Sequence, residues 1–292
     1  MRHFRPALLA ASLLVGLAGA PLAQAANQQP EAKAFKLGAF HLVALHDAQF
    51  VLPNDGKVFG LGQGAAAVTR VLDAAGAPTE NITLSVDALL VKTDKQVVLI
   101  DTGTGGALQQ SLKLAKVKPD TITDILITHA HPDHIGGLVI KGALAFPNAT
   151  IRMTAAEWTW LQGMTDQADL VKLITPKVAT FAPGAEVVPG ITSVEIKGHT
   201  PGHSGYEITS GKDHLLDIGD AAHSSIISLA KPAWHMGFDS DQDVGAASRI
   251  AELAQLAKSQ ETIFAPHFPF PGVGKIKAQA DHYVWRPTLS AK

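Results

Sequence analysis

The chain has 292 residues, 46% hydrophobic and 17% charged, an ordinary globular mixture rather than a disordered or fibrous one. Its 24 Lys and Arg against 26 Asp and Glu leave a formal charge of −2, which argues against nucleic acid as the main partner, because phosphate binding needs a basic face. It has no cysteine, which removes disulfides, thiolate nucleophiles, Cys-ligated zinc and iron–sulfur clusters together.

Residues 1–25 read as a secretory signal peptide. Arg2 and Arg5 precede an apolar run from Leu8 to Leu17, and Ala23-Gln24-Ala25 has the A-x-A form of a cleavage site. No other stretch is long and apolar enough to span a membrane. The expectation is export to a periplasm or the medium, with no membrane attachment after cleavage, and one domain over residues 26–292.

Phe35 to Leu45 alternates as strands do and is expected to end at His46-Asp47. Val51 to Pro78 is rich in Gly and Ala and reads as an insertion without strand pattern, with a helix over Ala65 to Ala75. Thr83 to Lys92 and Gln96 to Ile100 read as strands joined by a Thr93-Asp94-Lys95 turn. Gly106 to Val117 has Leu108, Leu112 and Ala115 at helical spacing, with Pro119 beyond its end. Ile125 to Ile127 is a short buried strand and Ala155 to Gln162 a helix. Ile191 to Ile196, Gly205 to Thr209, His214 to Ile218 and Thr262 to Ala265 read as strands. Asp243 to Lys258 is a helix with Asp241 as cap and Ile250, Leu253 and Leu256 on one face. Strands and helices mix in two halves without repeat or linker, which gives an α/β single domain.

The chemistry is concentrated in Thr128-His129-Ala130-His131-Pro132-Asp133-His134-Ile135-Gly136-Gly137, directly after a buried strand. Four potential ligands fall within six residues. Pro132 is expected to stop the loop winding into a continuous helix, so that His129, His131 and Asp133 turn to one side and His134 to a second point. Gly136 and Gly137 let the backbone pass close by. Imidazole with carboxylate suits zinc or a similar divalent ion. Three further pieces follow, each with a His or Asp at a strand exit: Gly198-His199-Thr200-Pro201-Gly202-His203, Ile218-Gly219-Asp220 and Ala265-Pro266-His267. Asp101 reads as orienting the ligand loop and His203 as standing behind a ligand. His41, His46, His214, His235 and His282 lack a motif, Asp217 carries no assignment, and Asp101 to Gly106 lacks the Gly-Lys-Ser/Thr ending of a phosphate loop. Trp158, Trp160, Phe268, Phe270, Phe50 and Phe59 are open between lining a cleft and packing the core.

The H-x-H-x-D-H pattern of His129, His131, Asp133 and His134, with Leu99-Ile100-Asp101-Thr102-Gly103 upstream, resembles the metallo-β-lactamase superfamily. The resemblance spans essentially all of residues 26–292. It implies a four-layer αββα sandwich with two divalent metal ions, zinc above all, at one edge. By the family pattern His129, His131 and His199 hold one ion, Asp133, His134 and His267 the other, and Asp220 bridges them. Leu144 to Ala149, Gly198 to His203, Asp239-Ser240-Asp241 and His267 to Gly274 look like the methyl parathion hydrolase and lactonase group, although His223 stands where that group would place an apolar pocket residue. The group also points to a homodimer, to which the Val51–Pro78 insertion could contribute.

Such a site implies hydrolysis of a small-molecule ester, lactone (acyl-homoserine lactones among them) or phosphotriester by a metal-bridging hydroxide. The catalytic assignments are Asp133, holding the nucleophile and taking its proton, the bridging Asp220, and His223, which is open between a proton donor and a histidine behind the ligands or at the surface. Two alternatives stand beside this. One is a β-lactamase of the all-histidine subclass. The other is a mononuclear iron oxidoreductase resembling persulfide dioxygenases, against which the full ligand set argues.

Overall fold

The computed structural model describes residues 24–25 and 29–291. The expected leader lies outside them apart from Gln24–Ala25, which pair antiparallel with Phe50 and Val51.

One sheet contains β1 (Ala32–Leu37), β2 (Phe40–Pro53), β3 (Asn81–Lys92), β4 (Val97–Ile100), β5 (Asp124–Leu126), β6 (Thr150–Thr154) and β7 (Val178–Phe181). From β2 to β7 they lie side by side in chain order, with β1 paired to β2. The pairings are antiparallel as far as β4 and parallel beyond it. The second sheet contains β8 (Glu186–Val188), β9 (Ile191–Glu195), β10 (Ser204–Ser210), β11 (Asp213–Asp217), β12 (Thr262–Phe264), β13 (Val273–Gln279) and β14 (His282–Pro287), again side by side in chain order. Here only β11 and β12 pair in parallel. The helices are α1 (Ala65–Ala74), α2 (Leu108–Leu114), α3 (Pro132–Ile135), α4 (Ala155–Gln162), α5 (Ala168–Ile174), α6 (Ile227–Ala230) and α7 (Gln242–Ser259).

The strand sequences dictate the layering. Successive side chains of a strand point to opposite faces, so a strand covered on both sides must be apolar at every position. Leu42, Ala44, Leu89, Val91, Val98, Ile100 and Leu126 face the second sheet and pack on Ile191, Tyr206, Ile208, Leu215 and Phe264. Their neighbours Val43, Leu45, Ala88, Leu90, Leu99, Ile125 and Ile127 face outward and pack on Leu108, Leu112, Leu161 and Ile174 of α2, α4 and α5. On the far side Ile196, Leu216, Ile218 and Ile263 pack on Leu253 and Leu256 of α7. Each fully buried Leu or Ile contributes about 1.5–3 kcal/mol of transfer free energy. The result is the four-layer αββα sandwich.

Three local expectations change. β2 does not stop at His46-Asp47. It continues to Pro53 through a bulge, since His46 pairs with Asp87 and Ala48 with Val86, leaving Asp47 unpaired between them. The Val51–Pro78 segment holds, besides α1, a strand at Phe59–Leu61 that pairs with His235–Met236. Pro132 opens a helical turn instead of preventing one: it occupies the first position of α3, where its missing N–H costs nothing, and His131 before it is extended.

Candidate metal centre

The polar clusters follow β5, β9, β11 and β12, and they meet at one edge of the sandwich. The ring nitrogens of His129 (Nε2), His131 (Nδ1) and His199 (Nε2) lie 2.9–3.1 Å apart. Asp220 Oδ2 stands 3.6 Å from His129 Nε2 and 3.3 Å from His199 Nε2. Its Oδ1 stands 3.4 Å from His134 Nε2 and 3.2 Å from His267 Nε2. Asp133 Oδ2 completes the second group, 3.9 Å from His134 Nε2 and 3.5 Å from His267 Nε2. All seven residues are therefore brought together, as two donor sets with Asp220 between them. The α3 turn explains the division. His129 and His131 lie on extended chain and share one side, whereas Asp133 and His134 follow Pro132 into the helix and face the other set. Asp133 accordingly joins His134 and His267, not His129 and His131 as extended spacing alone suggests.

Backbone and carboxylate partners fix the tautomers. His199 Nδ1 donates to Asp239 Oδ1 at 3.0 Å, His134 Nδ1 to Asp101 Oδ2 at 2.7 Å and His267 Nδ1 to the Ser85 carbonyl at 2.7 Å. Each bond turns Nε2 into the site, where an ion would take the place of its proton. Asp101 has φ 59°, which turns its carboxylate back onto the ligand loop, where it also accepts from Thr128 N at 2.8 Å and Thr128 Oγ1 at 2.7 Å. A Cβ on Gly137 would meet the Thr102 carbonyl, so the two loops close only because that side chain is absent. His203 is not a donor to either set: Nδ1 donates to Ile196 O at 3.0 Å and Nε2 accepts from Asp220 N at 3.0 Å.

The electrostatics suit a cation: against burial, Asp220 and Asp101 raise His134 well above its ordinary range, Asp220 and Asp239 raise His199 to about 9, and Asp220 raises His267, so protons stand where an ion would displace them. Burial, then the facing charge of His199, pushes His131 down to about 3. Burial and His134 hold His129 well below its ordinary range, so both rings are neutral and offer lone pairs. Burial alone would raise Asp220, but His267, His134, His223 and His129 outweigh it and keep the carboxylate well below the usual range. Buried His134 Nε2, Asp220 Oδ1 and His223 Nδ1 lack hydrogen-bond partners, an expensive arrangement for a protein alone. Bonds of about 2.0–2.2 Å to a tetrahedral zinc give ligand–ligand edges of roughly 3.3–3.6 Å, which the separations above approach. The residues thus fit two divalent ions with nitrogen and oxygen donors.

His223 is 1% exposed, so it is not a surface residue. Its Nε2 lies 3.1 Å from Asp220 Oδ2, and its ring stacks on His267 at 5.5 Å and lies tilted against Phe238 at 5.4 Å. Trp160 meets the His131 ring edge-on at 5.6 Å. Trp158 is half-buried against the outer core of the first sheet. Phe268 is core, packed 5.0 Å from Trp285, and Phe270 lies 5.7 Å from His46. Phe50 and Phe59 belong to the cluster under α1 and α6. Asp217 is buried and accepts from Gly219 N, outside both donor sets. His46 pairs with Asp87 at 2.7 Å, His214 with Glu207 at 3.0 Å, His235 with Asp243 at 2.9 Å and His282 with Asp281 at 3.2 Å, while His41 is exposed on β2. A concavity of about 890 Å³ lies between α1, the 225–234 segment and β14, and none of the seven donor residues lines it.

Sequence reasoning missed Glu157, Asp47 and the Asp239–Arg249 pair. Asp47 receives Thr104 N at 2.7 Å, Thr104 Oγ1 at 2.7 Å and Leu108 N at 2.9 Å, so the 101–106 turn wraps a carboxylate of the chain itself.

A sequence model of the family described as "Metallo-beta-lactamase superfamily" matches residues 82–267. The structure is similar to that of AidC, a dizinc quorum-quenching lactonase in complex with a product, with a TM-score of 0.85 at 30% identity over 90% of this chain and 99% of that one. It is similar to the hydrolase AbOPH, with a TM-score of 0.82 at 27% identity over 90% and 99% of the two chains. An N-acyl homoserine lactonase of Bacillus cereus is 28% identical over 156 residues, 53% of this chain. The matches span about three fifths of the length of the first curated relatives, 61% and 60%.

Proposed function

The chain belongs to the metallo-beta-lactamase superfamily, and on that premise we propose that it is an exported dizinc hydrolase that opens lactones, acyl-homoserine lactones among them. The observation that carries the hydrolase reading is Asp220, whose two oxygens face two separate donor sets within 3.2–3.6 Å. The likeness to AidC over 99% of that lactonase supports the substrate class. Phosphotriesters and aryl esters are the neighbouring substrates of the same reading.

When bound, two divalent ions supply Lewis acidity toward a carbonyl or phosphoryl oxygen and lower the pKa of water toward neutrality. His129, His131, His199 and Asp220 would hold one, and Asp133, His134, His267 and Asp220 the other. Asp133 is the less enclosed of the two carboxylates, with 20% of its side chain exposed. His134 and His267 overcome the effect of burial and keep it anionic, which suits a donor at Oδ2 and leaves Oδ1 as the oxygen that would accept a proton. His223 presents a buried imidazole that burial holds below its ordinary range and so keeps neutral, and its one ring N–H is what it would offer the leaving oxygen. Trp160 and Phe238 bring apolar surface to His131 and His223.

A panel of lactones, aryl esters, phosphotriesters and cephalosporins tests the reading. The highest kcat/KM is expected for a lactone, and a clear preference for the cephalosporin would replace it with the β-lactamase reading. Export is supported by the leader-like residues 1–25 and tested by N-terminal sequencing of protein from cell fractions. Among the described residues no helix is long and apolar enough to cross a membrane. A homodimer is part of the proposal on the resemblance alone, and sedimentation reads it directly.

A further inference from the structure

Glu157 is completely buried, and its carboxylate is held by backbone N–H and hydroxyl donors. Thr154 and Glu157 stand as Thr-x-x-Glu at the start of α4, the pattern in which the glutamate ordinarily returns to the cap residue's own N–H. Thr154 does cap the helix, accepting from Glu157 N at 3.2 Å. The Glu157 carboxylate goes elsewhere. Its Oε1 accepts from Ala130 N at 2.7 Å, and its Oε2 accepts from Thr200 Oγ1 at 2.8 Å and Gly202 N at 2.8 Å. Ala130 sits between His129 and His131, and Thr200 follows His199. One carboxylate therefore ties together the loops that carry all three histidines of one donor set.

We propose that Glu157 is a positioning residue which fixes the spacing of those two loops and so sets the affinity of the His129–His131–His199 set for its ion. The inference rests on the metal-hydrolase reading above. The loops leave different sheets, and they are otherwise joined by Ser204 N donating to Thr128 O at 3.0 Å and Tyr206 Oη donating to Ile127 O at 2.7 Å. Both of those bonds lie on the strand side of the histidines. Glu157 acts beyond them, where the ring nitrogens must meet within about 3 Å. A Cβ on Gly202 would collide with Glu157 N and Thr154 Oγ1, so the second loop presses directly onto the start of α4. The other donor set has separate supports, Asp101 on His134 and the Ser85 carbonyl on His267. The effect of losing Glu157 should accordingly fall on one ion of the two.

The test is zinc content against a graded chelator, with anomalous diffraction at the zinc edge to locate the ion that remains. Glu157→Gln keeps the volume but places an amide N–H₂ against loop donors. Loss of a partner behind metal-bound histidines typically weakens binding roughly 10–100-fold. The expected result is a loss of about that size confined to the three-histidine set, with the Asp133–His134–His267 set still filled. Thr200→Val removes a single bond and should give a smaller loss at the same set, which keeps the test available if Glu157→Gln does not fold. Unchanged affinity at that set in either folded variant, or parallel loss of both ions with a lowered melting temperature, overturns the inference and leaves the hydrolase reading standing. A wild-type chain that binds no zinc overturns both.

Discussion

Asp239 Oδ1 lies 3.0 Å from His199 Nδ1, and its other oxygen lies 3.3 Å from Arg249 Nη1. Both side chains of the Asp239–Arg249 pair are 1% exposed. Arg249 also donates to the carbonyls of Pro232 and Trp234, so α7 holds the segment that presents Asp239 to His199. Removing one member of a buried pair strands the other charge. Asp239→Ala is expected to lose about 3–5 kcal/mol in denaturant unfolding. It should also weaken zinc binding roughly 10–100-fold through the freed His199 ring. In the double variant Asp239→Leu with Arg249→Met, stability should recover while the zinc affinity stays low.

His129→Ala removes a donor from one set only, whereas Asp220→Ala removes the carboxylate both sets share. Zinc analysis should find about one ion per chain retained in the first variant and both weakened in the second, with lactone turnover reduced by orders of magnitude in each.

His223 touches Asp220 but has no partner at Nδ1. If it holds the leaving group's proton, His223→Gln should lower kcat about 10²–10⁴-fold while zinc content is unchanged. A variant with normal kcat for a poor leaving group would remove His223 from the mechanism.

Asp47 anchors the turn before α2 through three charge-assisted bonds. Asp47→Ala is expected to cost at least about 1.5–3 kcal/mol, the scale of one hydrogen bond to a charged group, in equilibrium unfolding.

Away from the site, burial and then the nearby Glu207 carboxylate push Glu261 up to about 7 from an ordinary 4.5. The folded chain therefore holds this proton more tightly than the unfolded one. The resulting stabilisation is fully present below 4.5 and is lost as pH rises through about 7. Melting temperature should decline over that window, and Glu261→Gln should flatten the decline.

The two donor sets were legible because their residues are local. Four of the seven stand in one ten-residue segment, and the rest mark strand exits. The continuous apolar runs that made β3 and β4 readable arise because both faces of that sheet are covered. β6 and β7 were missed because Thr-Ile-Arg-Met-Thr and Val-Ala-Thr-Phe mix polar and apolar residues, and their parallel partners are distant in sequence. The supports of the site were hidden for the same reason. Glu157 reaches residues 27 to 45 positions away, Asp47 reaches 57 to 61, and no spacing rule connects them. The division of Asp133 from His131 depended on a helical turn that Pro132 starts, which extended spacing could not show.

The central claim is that the seven converging side chains hold two ions on which hydrolysis depends. Elemental analysis per chain, made alongside lactone turnover before chelation, after it and after zinc is returned, tests this most directly. The account predicts two ions per chain at full activity, turnover abolished with the metal removed, and turnover restored with zinc. Full turnover by metal-free protein would contradict it.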